Sequence, residues 1–109
     1  MSSISTHVLD AVLGKPAPGI SVRLEMLQDN GWVPRASGVT DPDGRCRGLA
    51  AEAAAGTYRF TFAVGNYFES SGRASIYPEI AITFQIDGAQ NYHLPLLLSD
   101  NSYTTYRGS

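Results

Sequence analysis

The chain has 109 residues, 43% of them hydrophobic, and a formal net charge of −2, which suits one soluble domain around one core. No lysine or arginine run gives it an electrostatic footprint for nucleic acid. Its longest apolar run, Leu94 to Leu98, is far too short to span a membrane.

A single cysteine, Cys46, rules out an intramolecular disulfide framework. The two histidines, His7 and His93, have no zinc-site spacing, so no metal is expected. The opening MSSISTHVLD has no basic segment followed by an apolar stretch. No signal peptide is therefore expected, and the cytoplasm is the default compartment.

Period-two alternation dominates the chain. Ser5 to Asp10 is strand-like, and Gly14-Lys15-Pro16 and Pro18-Gly19 end that strand. Ile20, Val22, Leu24 and Met26 alternate with polar residues up to Asp29-Asn30-Gly31, a hairpin turn. Asp41-Pro42-Asp43-Gly44 is another turn. Ala50 to Ala55 favours a helical turn that Gly56 stops. Tyr58, Phe60, Phe62 and Val64 mark the next strand. A short helix is predicted from Val64 to Ser71, with Tyr67 and Phe68 as anchors. Ile80, Ile82, Phe84 and Ile86 form one further strand, and Tyr92, Leu94, Leu96 and Leu98 another. Ser99-Asp100-Asn101-Ser102 turns the chain into its last strand. With no repeat, linker or low-complexity tract, residues 1–109 read as one all-β domain, an antiparallel sandwich or barrel.

The final hairpin is unusual on both faces. Tyr92, Leu94, Leu96 and Leu98 make one face, and His93, Pro95 and Leu97 the other. An outer face this apolar is expected to be covered by another subunit. A two-residue turn at Asp100-Asn101 pairs Ser99 with Ser102, Pro95 with Tyr106 and His93 with Gly108. That register sets His93 and Tyr106 on one face near the chain end.

Each polar candidate has a plain structural reading beside a chemical one. His7 and His93 are ordinary strand histidines or, on a shared face, an acid/base set near neutral pH. Arg45 is a solvated turn arginine or a cation aimed at a carbonyl oxygen or an anion. Arg47, two residues on, competes for that role. Cys46 faces the other way and reads as a small buried residue, not a nucleophile. Ser109 lacks a nucleophile-elbow motif and better suits positioning substrate or water.

Taken together, HVLDAVLGKPAPGISVRL, TDPDGRC, YPEI and YHLPLLLS…YRGS resemble the 5-hydroxyisourate hydrolase family, the transthyretin-related enzymes of urate breakdown. Transthyretin, the hormone carrier, shares parts of the first and last segments but lacks counterparts of His7, Arg45 and the YRGS ending. The departures from the family are Asp100-Asn101, where a Pro-containing turn is common, and the alanine-rich segment Ala50 to Ala55.

The resemblance implies a transthyretin-like β-sandwich of two four-stranded sheets with one short helix. It implies a homotetramer, a dimer of dimers, whose sites combine residues of more than one subunit in a channel between dimers. It implies cofactor-free hydrolysis of 5-hydroxyisourate. By motif, His7, Arg45, His93 and Ser109 fall at catalytic positions, and His7, Arg45 and Tyr106 at substrate-binding positions. The alternatives are a transthyretin-like small-ligand binding protein without turnover and a structural sandwich with no site.

Overall fold

A computed structural model describes residues 1–108, apart from the side chain of Arg47 and the surroundings of Gly48. Its strands are β1 (Ser2–Asp10), β2 (Lys15–Pro16), β3 (Ser21–Gln28), β4 (Gly31–Val39), β5 (Arg45–Ala53), β6 (Gly56–Phe62), β7 (Ile80–Ile86), β8 (Tyr92–Ser99) and β9 (Ser102–Thr105). One helix, α1 (Val64–Ser70), lies between β6 and β7. The strands form two sheets. One runs β4-β3-β6-β7; the other runs β2-β1-β8-β9, with β5 also pairing with β1.

The inward positions of the alternating strands make the core. Ile4 and Val8 of β1, Val22 and Leu24 of β3, Phe60 and Phe62 of β6, and Leu96 and Leu98 of β8 are all buried. Each such side chain contributes about 1.5–3 kcal/mol through removal from water. The helix stands where the sequence places it, one residue shorter, with Phe68 buried in the core.

Three expectations are corrected. The expected pair of four-stranded sheets gains a ninth, two-residue strand, since Lys15 and Pro16 pair with Asp10 and Leu9. The expected antiparallel order fails at the centre, where β1 and β8 run parallel from Ile4↔Tyr92 to Asp10↔Leu98. Alternation sets which face a residue occupies and is silent on strand direction. The Ala50–Ala55 segment is not helical. It continues β5 to Ala53, with Ile4↔Ala50 and Ser2↔Ala53 as partners. Pairing along the edge of β1 overrides the helix preference of alanine.

One buried polar cluster was not anticipated. Asp10 is fully buried at the end of β1. Its Oδ1 accepts the backbone N–H groups of Val12 and Leu13, and its Oδ2 accepts the Tyr67 hydroxyl at 2.7 Å. Arg73 pairs with Asp10 and also with Asp100 in the β8–β9 turn. Burial alone would raise the Asp10 carboxyl; hydrogen bonds from Arg73, Tyr67 and the Leu13 backbone outweigh it and bring the pKa down to about 2. Burial and the bond to Asp10 push the Tyr67 hydroxyl up to about 12.

Candidate active site

The site is built on three adjacent strands, β5, β1 and β8. In β1, His7 stands opposite Arg45 of β5, and Ser5 opposite His93 of β8. Register partners share a sheet face, as do residues two apart along a strand. Ser5, His7, Arg45 and His93 therefore share the outer face. The residues between them point inward: Thr6 and Cys46 are buried, and the Thr6 hydroxyl donates to the Leu94 carbonyl at 2.6 Å. Cys46 is only 2% exposed, and burial raises its thiol pKa. It is the inert small residue the sequence suggested.

The TDPDGR turn fixes both Arg45 and His7. The Asp41 carboxylate accepts the backbone N–H groups of Asp43 and Arg45 at 2.9 and 3.0 Å, an Asx turn. Gly44 N–H donates to the Asp41 carbonyl at 2.8 Å. Gly44 has φ +77°, and a Cβ there would lie 2.3 Å from the Val8 carbonyl oxygen. Only glycine fits this crossing. The turn presents the Asp43 carbonyl to His7, whose Nε2 lies 2.7 Å away. A carbonyl can only accept, so His7 Nε2 carries a proton. Arg45, at the first position of β5, is exposed.

His93 is half-buried on the same face. Its Nδ1 lies 2.8 Å from Ser5 Oγ. Its carbonyl accepts Gly108 N–H at 2.7 Å, drawing the chain end back onto β8. Burial, then the charges of His7 and Arg45, lower the His93 pKa. Its neutral form, with a free lone pair, is favoured. Ser3, Ser5, Arg45, Asn91, Tyr92 and His93 line an open depression of about 370 Å³. Among the described residues, no three His, Cys, Asp or Glu side chains gather as a metal site.

The expected hairpin register holds at Ser99↔Ser102 and at His93↔Gly108. The ladder is interrupted between Leu96↔Thr105 and Gly108, so Pro95 and Tyr106 form no rung. Pro95 has no N–H to give, and its carbonyl accepts the Thr105 hydroxyl at 2.8 Å. Tyr106, released from the ladder, is 54% exposed. Arg107 anchors the same segment. Its guanidinium lies 4.3 Å from the centre of the Tyr92 ring and donates to Gln90 Oε1 at 2.9 Å. Ser109 and the side chain of Arg47 lie outside the described residues. Ser5 was not among the sequence candidates, although its position two residues before His7 marks it for the same face.

The sequence of residues 4–108 matches the model of the HIUase/transthyretin family. The chain belongs to this family. The 5-hydroxyisourate hydrolase of Salmonella dublin is 50% identical over 109 residues, covering 97% of this chain and 80% of that protein. A solved structure of Klebsiella pneumoniae 5-hydroxyisourate hydrolase aligns with TM-score 0.88 and 37% identity, covering each chain fully. Transthyretin from Sparus aurata aligns equally well, with TM-score 0.91 and 33% identity over 96% of this chain and 95% of that one. The fold also matches part of an (S)-allantoin synthase, with TM-score 0.89 and 34% identity; the chain spans 44% of that protein's length. Within the HIUase/transthyretin family, then, the backbone alone does not separate hydrolase from transthyretin. No helix among the described residues is long and apolar enough to cross a membrane.

Proposed function

We propose that this protein hydrolyses 5-hydroxyisourate to 2-oxo-4-hydroxy-4-carboxy-5-ureidoimidazoline, with no cofactor and with residues 1–109 as one hydrolase domain. The observation that carries the reading is the convergence of two imidazoles and a guanidinium on one outer face, from β1, β5 and β8. The 5-hydroxyisourate hydrolases among its relatives supply the substrate.

Water adds to a ring carbonyl carbon, giving a tetrahedral oxyanion. The adjacent C–N bond then breaks, leaving a carboxylate, and the departing nitrogen takes a proton. His7 and His93 serve water activation and proton transfer, a contribution of about 10²–10⁴-fold for groups of this kind. The lowered pKa of His93 leaves it neutral, as a base requires. Arg45 grips the flat, polar ring and stabilises charge on the attacked carbonyl. Tyr106 and Ser109 orient substrate or water.

The working form is a homotetramer, a dimer of dimers, in which a second subunit closes the outer face. Exposed Val12, Leu13 and Tyr106, with half-buried Leu97, supply apolar surface for that contact. The compartment proposed is the cytoplasm, with which a lone buried thiol is compatible.

A carrier without turnover is the second reading, because the Sparus aurata transthyretin structure matches as closely as the Klebsiella hydrolase structure. Consumption of substrate separates the two. 5-Hydroxyisourate generated in place from urate by urate oxidase should decay faster in the near ultraviolet when this protein is added. Binding without faster decay would favour the carrier.

A further inference from the structure

His93 can act as a base at Nε2 only if its neutral ring carries the proton on Nδ1. Among the described residues, the hydrogen-bond partner of Nδ1 is the hydroxyl of Ser5, 2.8 Å away on the neighbouring strand. Ser5 and His93 are register partners in the parallel β1–β8 pair, so backbone pairing holds the two side chains side by side. The opposite edge of the ring is confined as well. A Cβ at residue 108 would come 3.0 Å from His93 Cδ2, so the Gly108 backbone passes close along that edge. With Nδ1 against Ser5 and Cδ2 against Gly108, the Nε2–Cε1 edge is the one for which no partner stands among the described residues.

His7 is held differently. Its Nε2 already donates to the Asp43 carbonyl and cannot accept a proton from water there. The Asp43 carbonyl thus fixes the His7 proton on Nε2, whereas the Ser5 hydroxyl can accept from or donate to His93 Nδ1.

We propose that Ser5 is a positioning residue for the reaction: its hydroxyl accepts from His93 Nδ1–H, fixes the ring orientation and tautomer, and so turns a bare Nε2 toward the depression it shares with Arg45. The proposal deepens the hydrolase reading and rests on it for its catalytic consequence. When Nε2 takes a proton from water, the imidazolium keeps its Nδ1–H bond to Ser5, so ring and partner need no rearrangement during the step. The Ser5 hydroxyl proton is free to point into the depression.

The protein has only two histidines, so imidazole nitrogen NMR with the His7→Gln variant for assignment reads each tautomer directly. In the wild type His93 should be the Nδ1–H form. Ser5→Ala should move it to the Nε2–H form and lower kcat at least tenfold with KM within about twofold, since a mispositioned tautomer costs a hydrolytic triad up to about 10⁴-fold. Ser5→Thr, which keeps a hydroxyl on a strand-favouring side chain, should retain the wild-type tautomer and recover most of kcat. An unchanged tautomer or an unchanged kcat in Ser5→Ala would overturn the proposal. The tautomer is read without substrate, so a wild-type protein that fails to hydrolyse 5-hydroxyisourate would count against the hydrolase reading and not against the Ser5–His93 contact.

Discussion

His7 and His93 lie on one face, and their surroundings hold them differently. The carbonyl of Asp43 occupies one nitrogen of His7, while burial and the nearby charges of His7 and Arg45 keep His93 neutral. A histidine whose folded pKa is depressed resists protonation, so its native environment is favoured above the ordinary value of about 6.5 and penalised as pH falls below it. The acid limb of kcat/KM should therefore lie below pH 6.5. A limb above that value would contradict a neutral His93 as the base. Gly44 is the residue on which this arrangement most depends. Its positive φ and its approach to the Val8 carbonyl leave no room for a side chain. Gly44→Ala should cost at least about 2 kcal/mol in denaturant unfolding, and it should lower activity by displacing the Asp43 carbonyl from His7. A variant of wild-type stability would show that the turn has room to shift.

At the scale of elements, β1 organises the molecule. Its outward residues carry Ser5 and His7, its inward residues fill the core, and its end carries Asp10. The Asp10–Arg73–Asp100 cluster ties the end of β1 to the β8–β9 turn, and Tyr67 adds α1 to it. Arg73→Ala leaves a buried carboxylate unpaired and should cost about 3–5 kcal/mol in equilibrium unfolding. A loss under 1 kcal/mol would mean that water or rearrangement replaces the guanidinium. The Asp10 carboxyl, near 3.8 when unfolded and about 2 when folded, contributes about 2 kcal/mol that is complete above pH 4 and lost as pH falls through 2. Alternation made the strands and their faces readable from sequence, and the two-residue turn at Asp100-Asn101 made the His93–Gly108 pairing readable too. The parallel join of β1 to β8 and the Asp10 cluster were not readable. Both depend on which segments meet across the fold, and neither strand direction nor a distant arginine leaves a periodic trace. Ser5 went unread for a different reason. A serine in an alternating strand is unremarkable until the histidine opposite it is known.

For the whole molecule, the sandwich is common to hydrolases and a transthyretin, and the proposed function rests on the side chains of one outer face. His7, Arg45 and His93 meet within a single chain, while Tyr106 stays exposed; in the proposed tetramer a second subunit covers it. The protein should therefore run in solution at four times the chain mass by light scattering. Specific activity should fall on dilution into dissociated subunits. A fully active monomer would remove the neighbouring subunit from the site.

The most direct measurement is the initial rate of 5-hydroxyisourate decay with wild-type and Arg45→Ala protein at matched concentration and assembly state. Arg45 is exposed and outside the core, so its loss should leave the fold intact. If the guanidinium stabilises the developing oxyanion, the variant should lose about 10²–10³-fold in kcat. A variant as fast as the wild type would contradict the assignment of this face as the active site.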